Sequence, residues 1–342
     1  MDKIRSAADL EELLSRPTPG AIETLRKLPG DFLILGAAGK IGPSLARMIR
    51  RGLDTAGAGE RRVLAVSRFS APHAMTEFKN HGVHPIACDL LDRQAVEALP
   101  DAANILYLAG QKFGTSEAPE STWAMNTLVP AHVAERYHRS RLVVFSTGCV
   151  YPLAPVGGPW AREDCPLEPV GEYANSCVGR ERIFTHFARR HGTPMLFYRL
   201  NYALDLRYGV LRDVAQSVWD GRPVNVTTGH VNVIWQGDAN ARAIQCFDHV
   251  SSPPHPLNVT GSERLSIRSL AARFGELLGR KPSIAGHESA TALLADATRS
   301  FELFGPPLVS LDEVIEATAR WVWDGGESLG KPTHFEARDG RF

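Results

Sequence analysis

Asp31-Phe32-Leu33-Ile34-Leu35-Gly36-Ala37-Ala38-Gly39-Lys40-Ile41-Gly42-Pro43-Ser44-Leu45 reads as a strand, a glycine turn and the start of a helix. Phe32, Leu33, Ile34 and Leu35 are consecutive apolar residues, enough for a short buried strand. Gly36, Gly39 and Gly42 follow at three-residue spacing, and Leu45, Ala46, Met48 and Ile49 begin a helical period. Strand, glycine turn and helix in that order start a dinucleotide-binding βαβ unit. Each glycine has a task there. Gly36 permits the tight turn, Gly39 lets the backbone approach a pyrophosphate, and Gly42 lets the helix pack close. The free N–H groups at the helix start then face the anion. A tight turn in an α/β chain without a ligand would show the same glycines. The strand before and the helix after favour the nucleotide site.

The rest of the chain extends this unit. Residues 63–66, 83–88, 104–109, 142–145, 195–200 and 257–259 read as further strands. Several are unbroken apolar runs, which mark strands buried on both faces of a parallel sheet. Helical patterns lie between them, at 42–51, 121–137 and 173–190. The expected fold is α/β, a Rossmann-like doubly wound parallel sheet with a smaller C-terminal substrate-binding region. Residues 1–30 form a helical extension with no visible chemistry. Residues 31–204 form the dinucleotide-binding core, to which 235–260 return. Residues 205–234 and 261–342 form the substrate-binding region, with 330–342 read as a polar surface tail.

Composition excludes several classes. The 342 residues are 44% hydrophobic and 22% charged, with formal net charge zero. There is no electrostatic case for nucleic acid or an acidic membrane surface. No apolar run approaches the roughly 20 residues of a membrane helix. The first 14 residues mix charges with no apolar segment of the secretory kind. Five cysteines without CxxC spacing read as reduced thiols in a cytoplasmic protein, and no metal-ligand pattern is expected.

Further motifs follow in order. Asp89-Leu90 ends the third strand, Leu108-Ala109-Gly110 the fourth. Asn126 lies in a helical pattern. Phe-Ser-Thr-Gly-Cys-Val-Tyr-Pro spans 145–152, Tyr173 lies 26 residues beyond Thr147, and Arg199-Leu200-Asn201 ends the sixth strand. In order and spacing these elements resemble the extended short-chain dehydrogenase/reductase superfamily, in its NAD(P)-dependent epimerase/dehydratase branch. The resemblance covers about residues 31–325. It implies hydride exchange on a sugar-like hydroxylated substrate, by an epimerase, dehydratase or dehydrogenase. Tyr173 would be the general acid/base and Thr147 its hydrogen-bonding partner. Gly36, Gly39, Lys40, Ile41, Gly42, Ser67, Asp89, Leu90, Leu108, Ala109, Gly110 and Asn126 would line the cofactor. A homodimer is expected by analogy.

The chain departs from the family at one place. A lysine four residues after the tyrosine normally lowers the phenol's pKa; here Cys177 stands there. A thiol cannot do what an ammonium does. One reading is that the fold substitutes another cation: Arg180, seven residues after Tyr173 on the same helix face, or Lys112 in the loop after the fourth strand. Alternatively the chain is a cofactor-binding regulator or scaffold with reduced catalysis, or Cys177 itself reacts. A cation within reach of the tyrosine oxygen favours the enzyme, an apolar wall the regulator.

The cofactor expected is NADP, with NAD the second choice. NAD sites usually end the second strand with a carboxylate. Here it ends Ser67-Arg68, and Arg68 is placed to pair with a 2′-phosphate. A solvated surface arginine is the alternative. Arg207 and Arg212 in the substrate region are open to either an acidic substrate group or solvent.

Overall fold

In a computed structural model, residues 4–71, 73–112, 114–115, 117–331 and 333–341 are described. Seven parallel strands form one sheet: β1 (Phe32–Leu35), β2 (Val63–Ser67), β3 (His84–Ala87), β4 (Asn104–Tyr107), β5 (Arg141–Thr147), β6 (Met195–Leu200) and β7 (His255–Val259). Their order is β7-β6-β5-β4-β1-β2-β3. The strand order therefore switches side between β1 and β4, and a crevice opens at the strands' carboxyl ends there. The central strands β1 and β4 are buried throughout. The edge strands β3 and β7 carry Pro85 and Pro256, tolerable where a ladder N–H is not needed.

Successive residues of each strand serve opposite layers, as the pleat requires. Phe32, Ile34, Leu106, Val143 and Tyr198 face one core. Leu33, Leu35, Ile105, Tyr107 and Val144 face the other. The first layer is covered by helix Pro19–Lys27 (α2), by helix Gly42–Thr55 (α3) and by a returning helix, Gln236–Gln245. The second is covered by helices Val129–Arg136 and Gly171–His191. A separate apolar core joins helices Val210–Trp219, Ile267–Leu278 and Leu311–Trp323. Leu10 and Leu14 of α1 (Ala7–Leu14) belong to that separate core. The amino-terminal extension thus bridges the two lobes.

The stretch 330–342 differs from the surface tail expected. Thr333 and Phe335 are buried, and Phe335 joins the C-terminal core. Pro332 and Phe342 lie outside the described residues. The polar composition misled because this segment is held largely by hydrogen bonds, not by an apolar stripe.

Candidate active site

The glycine turn behaves as its chemistry requires. Gly36 has φ +85°, and a Cβ there would stand 2.6 Å from the Ala109 nitrogen. Gly42 closes on the Ala37 carbonyl, so its closeness serves the turn itself and not the strand. Ile41 precedes α3 with no side-chain cap, so the first N–H groups of the helix are left for a ligand. A cleft of about 1090 Å³ opens over this turn. Gly36, Gly39, Lys40, Ile41, Gly42, Leu108 and Gly110 line it, and so do Ala7, Ala8 and Glu11 of the extension. The uncapped helix start and the turn closed to any Cβ fit a dinucleotide's pyrophosphate.

Lys40 lies over the Tyr208 ring, 3.1 Å from its centroid. Burial, and then the ammonium groups of Lys112 and Lys331, bring it down to about 7. The other expected cofactor residues are less direct. Arg68 and Asp89 are exposed, and Asp89 accepts from the Leu91 N–H. Among the described residues lining the cleft, Ser67, Arg68, Asp89, Leu90, Ala109 and Asn126 do not occur. Asn126 is buried behind the wall. It brackets Gln111, accepting from its N–H and donating to its carbonyl, both at 3.1 Å. It also accepts from Arg180 Nη2 at 2.5 Å.

A second cavity of about 270 Å³ continues from the cleft. It brings together Thr147, Tyr173, Lys112 and Arg180, residues taken from a strand end, one helix and a loop that are separate in the chain. Thr147 ends β5, and its Oγ1 accepts from the Cys149 N–H at 3.1 Å. Tyr173 stands in the first turn of Gly171–His191, which points it back at the end of β5. Arg180 reaches down the same face and donates to the Phe145 carbonyl at 2.9 Å. It lies directly beneath Gly110, where a side chain would strike it. Lys112 enters from the opposite wall, with Nζ 3.4 Å from the Thr333 carbonyl.

An apolar cluster and the Arg180 guanidinium both border Tyr173. It packs against an apolar cluster of Val150, Tyr151, Ala161 and Cys177. Burial pushes its phenol well above the ordinary value, and the Cys177 and Cys149 thiols add to this. The Arg180 guanidinium acts in the opposite direction. Burial likewise drives Cys177 up to about 11, so it stands as a neutral thiol at neutral pH. Lys112 is lowered by burial.

Neighbouring polar residues are structural. Tyr151 donates to Asn258 Oδ1 at 2.8 Å and accepts from Arg199 at 2.7 Å. Asn201 donates to Asn232 at 2.8 Å, ordering a loop. Glu181 takes two bonds from Arg199 at 2.9 and 2.6 Å, and one from Ser146 at 2.6 Å. Asp238 does not cap the returning helix; it sits inside the first turn and accepts from the Val309 N–H. Arg207 is not solvated: it pairs with Asp205 and Glu11 at 2.7 and 2.6 Å. All five cysteines are free. Among the described residues no helix is long and apolar enough to cross a membrane, and no cluster of three or more metal-ligating side chains occurs.

A model of the NAD dependent epimerase/dehydratase family matches residues 32–203, half of the chain. No curated protein matches it by sequence. Solved structures match its fold. A dTDP-glucose 4,6-dehydratase from Streptomyces venezuelae, with NAD bound, superposes with a TM-score of 0.73 at 17% identity, over 85% of this chain and 96% of that one. UDP-glucose 4-epimerase from Thermus thermophilus, complexed with NAD, gives 0.70 at 20%, over 86% and 99%. UDP-glucuronic acid 4-epimerase from Bacillus cereus, complexed with NAD, gives 0.70 at 17%, over 86% and 99%.

Proposed function

The chain belongs to the NAD-dependent epimerase/dehydratase family, and from that premise we propose that it exchanges hydride with a sugar-like hydroxylated substrate. The observation that carries this reading is the convergence of Thr147, Tyr173, Lys112 and Arg180 on one cavity that continues the cofactor cleft. Gly36, Gly39, Lys40, Ile41 and Gly42 would hold the dinucleotide's pyrophosphate, with Leu108 and Gly110 beside the nicotinamide. When bound, the nicotinamide supplies and accepts hydride at the carbon that carries the reacting oxygen.

The protein's part is proton chemistry at that oxygen. Thr147 hydrogen-bonds it, and Tyr173 gives or takes its proton. A phenol raised by burial stays protonated at neutral pH, so Tyr173 is ready as an acid toward a carbonyl. Acting as a base it needs stabilisation of the phenolate, and Arg180 is the cation that opposes the shift. Arg180 thus takes over in part the charge that Cys177 lacks, and Lys112 adds positive charge from the facing loop. NADP is the favoured cofactor, because β2 ends without a carboxylate and exposed Arg68 follows it.

Fluorescence titration with NADPH and NADH tests the cofactor, and Tyr173→Phe tests the chemistry. Loss of general acid–base catalysis is worth about 10²–10⁴-fold in rate. The variant should lose that much turnover while binding cofactor unchanged. Unchanged turnover would leave the reading without its proton donor. A regulator with little catalysis is the second reading, favoured by the apolar cluster around Tyr173. It requires cofactor binding with no hydride exchange on any hydroxylated compound.

A further inference from the structure

We infer that the C-terminal segment fits this site to a free sugar-sized molecule, such as a monosaccharide, polyol or sugar acid, and shuts out nucleotide-linked sugars. The inference rests on the hydride-exchange reading and specifies its substrate.

The segment borders the reaction cavity at Thr333 and is fastened on three sides. Thr333 donates to the Asp213 carboxylate from its N–H at 2.8 Å and its hydroxyl at 2.5 Å. Arg338 donates to the Thr291 carbonyl and hydroxyl, both at 2.6 Å. Gly340 lies so close to Val170 and Gly171, at the start of the Tyr173 helix, that neither glycine could carry a side chain. Phe335 anchors the segment in the C-terminal core.

These residues divide what would otherwise be one groove. Thr333 forms part of the wall around Thr147 and Tyr173. Beyond Cys149 and Tyr202, which face both sides, the groove continues between the lobes. There Phe335, Ala337, Arg338 and Gly340 fill it, leaving about 40 Å³. The reaction cavity itself holds about 270 Å³. That lies below the roughly 300 Å³ at which pockets for drug-sized ligands begin. Lys40, Ile41, Leu108 and Gly110 line this cavity too, so the nicotinamide end takes a share of it. The remainder suits one small hydroxylated molecule facing Thr147, Asn201, Gln236 and Lys112. A nucleoside diphosphate extending from it past Cys149 and Tyr202 would meet the segment.

The test uses the full chain saturated with its cofactor. Calorimetry with UDP, dTDP and UDP-glucose should show no binding tighter than about 1 mM. A panel of free monosaccharides, polyols and sugar acids should include one that reduces the cofactor. The same calorimetry on Arg338→Ala, with its melting temperature checked, should show nucleotide affinity at least tenfold higher. Micromolar binding of a nucleotide to the intact chain, or turnover of a nucleotide sugar, would overturn the inference while leaving the hydride-exchange reading in place. A folded Arg338→Ala chain that still refuses nucleotides would remove the segment as the cause. If nothing is turned over, the hydride-exchange reading fails, and nucleotide binding still decides whether the groove is closed.

Discussion

Cys177 stands one helical turn beyond Tyr173, and the two side chains share one apolar cluster. The position that would carry a cation therefore carries a neutral thiol, and the phenol is raised where a cation would lower it.

Replacing that thiol tests the arrangement directly. Cys177→Lys should leave cofactor binding intact and shift the rise of substrate-oxidising activity to lower pH, measured as a pH–rate profile. Overpacking this fully buried site should cost about 1–3 kcal/mol in a denaturant melt. Complete loss of turnover, with fold and cofactor affinity preserved, would show that the thiol is needed as it stands.

Arg180→Gln removes the charge that opposes the phenol's shift. It also strips a bond from Asn126 and one from the Phe145 carbonyl. Oxidation should slow at least tenfold, with its alkaline limb moved to higher pH. Arg180→Lys should recover part of the rate, whereas a purely structural role would be rescued in melting temperature without any return of the pH profile.

Lys40 should make cofactor binding pH-dependent. With its value near 7 in the ligand-free chain, the ammonium form falls away as pH rises through 7. A bound pyrophosphate restores that proton. Affinity should therefore weaken by up to tenfold per pH unit between 7 and the higher pKa of the complex. Lys40→Gln should bind more weakly at pH 6 and show a flat profile across this range, read by the same titration.

Gly36→Ala should abolish cofactor binding, since the new Cβ meets the backbone of Ala109 and the φ of +85° strains any L side chain. A variant that binds cofactor with unchanged affinity would show that the turn relaxes and is not the cradle.

Glu181→Ala would leave Arg199 buried and charged against Tyr151. Breaking a buried pair of this kind costs about 3–5 kcal/mol, to be read from chemical denaturation.

The sheet was legible because parallel central strands must be apolar on both faces, and runs such as Phe32–Leu35 have no other common reading. Arg180 was legible through helical geometry, since seven residues are close to two turns. The Glu181–Arg199 pair was not: it joins a helix to a strand, and no period links the two. Nor was the cleft-lining role of Ala7 and Glu11, since Leu10 and Leu14 announce a packed face without saying against what. The C-terminal segment escaped because hydrogen bonds to Asp213 and Thr291 leave no pattern in the residues that make them. Arg68 and Asp89 show the reverse limit. Spacing places them near the expected cofactor, and the fold leaves both side chains exposed.

Between helix Pro119–Trp123 and helix Val129–Arg136 the backbone takes one π-helical turn, Ala124–Leu128, with Asn126 at its middle. Such a turn holds one residue more than an α-turn. Removing one residue there would let the α-helix run straight, the helices on either side keeping their faces, and would take away the wide turn that carries Asn126. Asn126 would then leave Gln111 and Arg180 together. Along this stretch the residue count is constrained more tightly than the residue types, so relatives of this chain should vary in sequence here without gaining or losing a position.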